Sequence, residues 1–412
     1  MNKHFQLILT GILLLLLCLS PGVSAAKSAA VNPAWTIPEY GEKAWNLYSG
    51  EMAAFDTSSP DKLNLNGTAA LLMEASSGRV LYELDRGGLR YPASVTKLMT
   101  LIVTLDAVNN GEIALTDLVT YSPAAVAEDG SKSGHLAGDT DTLEQSLSLI
   151  MVISCNDTAY AIAERVCGSV DAFVKRMNDK AAALGLVNTV YCNPNGLHND
   201  AHYTTAEDLA KLAQYCLQRE DVMKYVSLRE VTMPNGKIGY NSNKLLFWLE
   251  GTTGLKTGRT VAAGNNLVAT ATRNGMTLIA VVLSCKDYYN YIDAAKLLEY
   301  GFANYSMKTV VEKGSSRGTV PAYKTREKEA EVKAGEDISY PMAASETDIP
   351  DIVVDSPGVV GQCDEGTDVG DIVVTLNGEE IGRCDLVTAE KIHSRSIFGW
   401  LKDLFLSVIG SF

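Results

Sequence analysis

Ser94 and Lys97 stand three residues apart at the head of the run "SVTKLMTLIVTL". The rest of that run is apolar on almost every side: Leu98, Met99, Leu101, Ile102, Val103 and Leu105. A helix of that kind is normally buried. Spacing i, i+3 puts the hydroxyl and the amine on one helix face, within hydrogen-bond reach. A serine hydroxyl is a poor nucleophile until a base takes its proton. A lysine can be that base only if burial or nearby positive charge lowers its pKa. Alone, Ser-x-x-Lys is a weak signal, and the plain roles are helix capping for the serine and a solvated charge for the lysine. A second copy, Ser59-Pro60-Asp61-Lys62, lies in a polar, turn-rich stretch where no buried site is expected. The apolar surroundings single out Ser94 and Lys97.

Two further triplets join this pair. "ISCNDTAYAIAE" holds Ser154 and Asn156 as Ser-x-Asn just ahead of another helix. "GTTGLKTGRT" holds Lys256, Thr257 and Gly258, followed by Arg259, where an edge strand is expected. Ser-x-x-Lys, Ser-x-Asn and Lys-Thr-Gly, in this order and at domain-scale separations, are the signature of serine enzymes that react with penicillin.

These motifs need a scaffold. "TAALLMEASSGRVLYELD" reads as a hairpin around Ser76-Ser77-Gly78, and "GNNLVATATRNGMTLIAVVLSC" as a second one turned at Asn274-Gly275. A mostly helical middle lies between them, with a capping-box start at Thr204-x-x-Glu207, and "YNYIDAAKLLEYGFANY" closes as a helix. Strands at both ends of one domain with helices between predict an α+β fold, an antiparallel sheet completed by distant parts of the chain. Composition changes near residue 308, and "GDIVVTLNGEEIGRCDLVTA" predicts another hairpin at Asn377-Gly378. The expected layout has five parts. Residues 1–25 form a secretory signal, 26–65 an irregular segment, 66–307 the catalytic domain and 308–393 a small all-β domain. Residues 394–412 form an amphipathic helix lying on a membrane surface. That tail carries Trp400, Leu401, Leu404 and Phe405 at helical spacing, with Lys391 and Arg395 upstream. A terminal helix docked on the protein itself is the plainer reading of the same pattern.

The sequence resembles the low-molecular-mass penicillin-binding proteins of the D-alanyl-D-alanine carboxypeptidase type, peptidase family S11. The likeness spans about residues 66 to 305 and continues into the β domain. "ASVTKLMT", "NPNGLHNDAHYTTAEDLAKLA" and "GLKTGRT" look like family blocks in family order. The resemblance implies a penicillin-binding, β-lactamase-like transpeptidase fold, together with roles for the motif residues. Ser94 attacks the carbonyl between two D-alanines of a peptidoglycan stem peptide, and Lys97 takes its proton. Ser154 bridges Lys97 and Lys256 and relays a proton to the leaving D-alanine. Asn156 orients Lys97 and the substrate amide. Lys256 holds the Lys97 pKa down and, with Thr257 of the Lys-Thr-Gly258 triplet, meets the terminal carboxylate. The backbone N–H groups of Ser94 and Arg259 form an oxyanion hole. Water then completes hydrolysis. No cofactor or metal is implied, β-lactams are implied as acylating ligands, and the place of action is the outer face of the bacterial cytoplasmic membrane.

Three residues depart from the family pattern. Cys155 occupies the middle of Ser-x-Asn, where glycine is usual, and a thiol beside the site would narrow it or make it oxidisable. Arg259 replaces an aromatic or His. Ser242 in "NSNKLL" stands where relatives often carry a basic residue, which shifts carboxylate recognition toward Arg259. Net charge of −14 argues against nucleic acid as partner. No Cys-x-x-Cys occurs among the eight cysteines, so zinc is poorly supported; Cys363 with Cys384 is a candidate bridge in an oxidising compartment, and free buried thiols are the plainer reading. A β-lactamase is the nearest rival, but no convincing glutamate motif for rapid deacylation is present. An endopeptidase or transpeptidase on cross-linked peptides is a closer variant. From another class, a penicillin-binding sensor or wall-binding module without turnover remains open.

Overall fold

Side chains alternate along Ala69–Glu74 (β1). Leu71 and Met73 join one core cluster while Ala70 and Leu72 join another. That is the period of a strand whose two faces are both covered, which is why the segment reads as an unbroken apolar run. The computed structural model describes residues 42–395, so the expected signal segment and the tail from 396 onward lie outside the described residues. Val80–Leu84 (β2) returns antiparallel to β1. The rest of the sheet comes from far along the chain: Thr252–Thr260 (β3), Gly264–Arg273 (β4) and Met276–Cys285 (β5). Strand order is β2-β1-β5-β4-β3, with every neighbour antiparallel. β3 is therefore an edge strand, as expected for Lys-Thr-Gly. Asn274 and Gly275 turn the β4–β5 hairpin with φ of 49° and 78°, the left-handed values that a two-residue turn requires.

One sheet face carries the helical middle. Its centre is Lys97–Asn109 (α1), buried from Lys97 through Leu105, with Leu143–Val152 (α2) and Asn156–Cys167 (α3) packed around it. The other face is covered by Tyr289–Asn304 (α4). From Tyr305 to the end of the described residues the regular elements are all strands, and a six-stranded sheet spans Ser316–Thr388 around its own apolar cluster of Val332, Ile372, Val374 and Leu386. The fold is thus α+β followed by a small β-rich unit. Arg79, just before β2, reaches that unit: it donates to the Pro341 carbonyl and the Glu346 carboxylate.

Two expectations need correction. The segment 26–65 is not irregular throughout its described part, because Glu42–Ala53 is helical. Tyr48 and Met52, one turn apart, pack on the α4 side, and the Tyr48 ring lies 5.1 Å from that of Trp248. The Pro and Gly punctuation nearby masked this short apolar stripe. The helix at Ala206–Leu217 is capped by Thr205, which accepts from the Asp208 N–H at 3.1 Å, and not by Thr204. Thr204 is already committed: its backbone pairs with Arg90 and its hydroxyl meets Thr189. The second Ser-x-x-Lys is an exposed turn in which Lys62 pairs with Asp56.

Candidate active site

Ser94 sits in a single 3₁₀ turn, Ala93–Thr96, that runs straight into α1. Lys97 is the first residue of α1 and is fully buried. Its Nζ lies 3.0 Å from Ser94 Oγ, and it donates to Asn156 Oδ1 at 2.6 Å and to the Asn195 carbonyl at 2.7 Å. Asn156 Oδ1 and the Asn195 carbonyl can only accept. They take the two hydrogens of a neutral amine, and the lone pair then faces the serine hydroxyl. Burial first, and the Lys256 charge second, hold the Lys97 ammonium well below the ordinary lysine range.

The elements that set this geometry meet at close quarters. A Cβ on Gly258 would lie 2.6 Å from the Pro92 carbonyl oxygen and 3.0 Å from the Ser94 N atom. Only glycine lets β3 approach the serine turn that closely. Gly196 does the same from the loop after Asn195, where a Cβ would fall 2.0 Å from the Ala93 carbonyl oxygen, and its φ is +86°. Ala93 and Ser154, neither of them glycine, take φ of 49° and 63°, so a left-handed residue lies on each side of the reactive pair. Asn156 opens α3, and its Nδ2 donates to the Asp129 carbonyl at 2.6 Å, which fixes the side-chain oxygen toward Lys97.

Ser94, Ser154, Thr257, Gly258 and Arg259 line one cleft of about 540 Å³. Lys256 lies behind the cleft wall, 1% exposed, and donates to the Thr257 carbonyl at 3.1 Å. Burial pushes its pKa down to about 7. Five of the eight expected residues thus line the cleft, while Lys97, Lys256 and Asn156 lie buried behind it, Asn156 tied to Lys97 by its side-chain oxygen. Cys155 does not line the cleft. Its thiol is buried among Leu149, Val152 and Val231, and burial pushes its pKa up to about 12. The thiol thus stands beside the site, close enough to act on Lys97 and Lys256, but as the N-cap of α3 it turns inward and neither narrows the cleft nor is open to oxidation from it, while Ser154 and Asn156 face the reaction centre.

Sequence reasoning missed several residues. Asn195 supplies a carbonyl to Lys97, and its side chain donates to Glu128 at 2.6 Å. The block "NPNG" is the available signal, but nothing in it says which way a backbone carbonyl points. Ser242, legible only as a departure from the family pattern, meets Thr257 Oγ1 through its Oγ at 2.7 Å. Lys244 belongs to none of the three triplets and lines the same cleft. Cys363 and Cys384 are free thiols, the plainer of the two readings open for that pair.

Comparison with known proteins agrees with this geometry. Residues 54–287 match the family model for D-alanyl-D-alanine carboxypeptidase, peptidase S11, and residues 305–394 match the C-terminal domain of penicillin-binding protein 5. The chain is 30% identical over 342 residues to the D-alanyl-D-alanine carboxypeptidase DacF of Bacillus subtilis, covering 81% of this chain and 88% of that one. It is 32% identical over 357 residues to DacA of Haemophilus influenzae, covering 83% and 89%. The crystal structure of penicillin-binding protein 5 from Haemophilus influenzae superposes with a TM-score of 0.69 at 28% identity, over 80% of this chain and 98% of that one. With its serine–lysine pair, its edge-strand Lys-Thr-Gly and its β-rich C-terminal unit in family order, the chain belongs to the D-alanyl-D-alanine carboxypeptidase family of serine peptidases.

Proposed function

We propose that this carboxypeptidase removes the terminal D-alanine from peptidoglycan stem peptides by way of an ester on Ser94. The observation that carries the residue roles is the 3.0 Å approach of Ser94 Oγ to a fully buried Lys97. Lys97 takes the hydroxyl proton as Oγ bonds to the carbonyl carbon. The C–N bond then breaks, and the departing D-alanine amine receives a proton through Ser154. Backbone N–H groups of Ser94 and Arg259 hold the oxyanion. Water attacks the ester, its proton passes to Lys97, and Ser94 is restored. A β-lactam follows the first half of this path, with its ring amide in place of the D-alanyl peptide bond.

The reading extends to placement. Family members work on the wall, so the chain is exported, and residues 1–25 are the proposed signal. Domain limits of 66–307 and 308–393 are proposed with it, and residues 394–412 are the proposed membrane-surface helix. Among the described residues no helix is long and apolar enough to cross a membrane.

Release of free D-alanine from a synthetic muramyl pentapeptide, with Ser94→Ala as control, tests the function. Turnover is expected from the unmodified chain alone. Stoichiometric acylation by penicillin without D-alanine release would leave the sensor reading instead.

A further inference from the structure

Both lysines at the reaction centre are buried, and burial works against their positive charge. A terminal carboxylate nevertheless needs a cation. Ser242 is committed to an uncharged contact: its hydroxyl meets Thr257 Oγ1 at 2.7 Å and fixes that side chain. The segment carrying Ser242 is tightly held. Its N–H donates to the Val152 carbonyl at 3.0 Å, and its carbonyl accepts from Tyr291 Oη at 2.8 Å. Asn241 Oδ1 accepts from the Asn243 N–H at 2.7 Å. Immediately after comes a helical turn, Leu245–Trp248, whose four side chains are all buried. Lys244 stands between these two anchors with its backbone fixed. It is 7% exposed and lines the same cleft as Ser94 and Thr257.

We infer that Lys244 is a specificity-determining residue that binds the substrate's terminal carboxylate together with the Thr257 hydroxyl. The inference rests on the carboxypeptidase reading and adds a residue to it. A cation on a largely desolvated cleft wall meets an anion in a lower effective dielectric than an exposed one does. Arg259 is the rival: it lines the cleft too, but it is exposed, and water screens its charge. Burial alone pushes the Lys244 pKa down to about 8. A carboxylate docked beside it would oppose that shift and keep the ammonium charged. Lys244 thus supplies the charge, while Ser242, two residues upstream, keeps the Thr257 hydroxyl oriented.

Steady-state kinetics on the full mature chain, with an N-acyl-L-Lys-D-Ala-D-Ala tripeptide as probe, test this. Losing a charge-assisted bond to the carboxylate should raise KM about tenfold or more in Lys244→Met, with a much smaller fall in kcat. Lys244→Gln should show the same split and guards against a folding defect specific to methionine. Lys244→Arg should recover most of the loss, which a purely structural lysine would not predict. Arg259→Gln should raise KM less than Lys244→Met does. Unchanged KM in both neutral Lys244 variants, or the whole loss appearing in Arg259→Gln, overturns the inference. If the unmodified chain is not acylated at Ser94 by penicillin, the carboxypeptidase reading fails instead.

Discussion

Ser94 Oγ and Lys97 Nζ lie 3.0 Å apart, and the two remaining partners of that nitrogen, Asn156 Oδ1 and the Asn195 carbonyl, are both acceptors. Burial lowers the pKa of this ammonium, and in the neutral amine those two acceptors take both hydrogens and leave the lone pair to the serine. Lys97→Arg keeps positive charge and cannot give up its proton at any working pH. It should fold and lose acylation by about a hundredfold or more, the range for a positioned general base. Mass mapping after labelled penicillin should find the adduct on Ser94 in the unmodified chain. An adduct on Ser154 or Ser59, or near-normal acylation in Lys97→Arg, would move the nucleophile or the base elsewhere.

Lys256 links stability to pH. In the unfolded chain it keeps its proton up to the ordinary 10.5, and in the folded protein burial lowers that to about 7. Between those values the unfolded chain binds more protons, so folding stability rises with pH. Below about pH 7 both states are charged and the whole cost of burial is present. Lys256→Met should therefore stabilise the protein at pH 6 by on the order of a few kcal/mol, and by less at pH 9. It should also remove the charge that helps hold Lys97 down, so the rising limb of the acylation rate should shift to higher pH. Thermal melts at the two pH values and a pH–rate profile check both. A variant less stable at pH 6 than the parent would contradict this account.

Gly258 is the point where β3 touches the serine turn. A methyl group there would meet the Pro92 carbonyl oxygen at 2.6 Å and the Val95 and Ser94 N atoms at 2.9 and 3.0 Å. Backbone cannot rotate aside as a side chain can. Gly258→Ala should push the strand from Ser94, cost about 1–3 kcal/mol and slow acylation sharply. Gly236→Ala, in an open turn with nothing within 4 Å, serves as the surface control. Its φ of +77° means only a modest loss of stability, with acylation unchanged. Equal acylation rates in the two variants would remove the close approach from the mechanism.

What the sequence made legible was local chemistry. Asn274-Gly275 and Asn377-Gly378 announce tight turns because both residues take positive φ there. Ser-x-x-Lys is legible because one helix fixes its geometry. Asn195 is not, since its contribution is a carbonyl aimed at Lys97 across 98 positions of sequence. Thr204 and Thr205 look alike as caps, and only the pairing of Thr204 with Arg90 decides between them. Lys244 has nothing in its neighbours' types to mark it, and only the anchored turn around it puts it on the cleft wall. Legibility ended where tertiary contact, not spacing, assigns the role.

Cys155 gives an inexpensive check on the shape of the site. Its thiol is fully buried, and its pKa is pushed up to about 12 by burial first and by the nearby Asp157 carboxylate second. Little thiolate exists at neutral pH, and reagents cannot reach it. Iodoacetamide should leave Cys155 unmodified in the native protein whether or not penicillin is bound, and should modify it after denaturation. Labelling of native protein that penicillin blocks would return the thiol to the cleft.

The proposed anchor can be tested by truncation. If the chain ends at Ser394, the β unit keeps the bond from the Arg326 N–H to the His393 carbonyl at 2.9 Å and loses only the longer one from the Arg395 N–H to the Lys324 carbonyl at 3.4 Å. Residues 396–412 carry the apolar stripe of Trp400, Leu401, Leu404 and Phe405 but lie outside the described residues. Upstream, Lys391 is engaged by Asp364 at 2.7 Å, so it contributes less attraction to anionic headgroups than the roughly 1 kcal/mol of an open lysine. Apolar insertion must then supply most of the binding. The mature full-length chain should co-sediment with anionic vesicles and largely persist on them in added salt. The chain ending at Ser394 should stay in the supernatant and hydrolyse the pentapeptide at an undiminished rate. Equal sedimentation of the two would place the tail on the protein's own surface, and release by salt alone would make the attachment electrostatic.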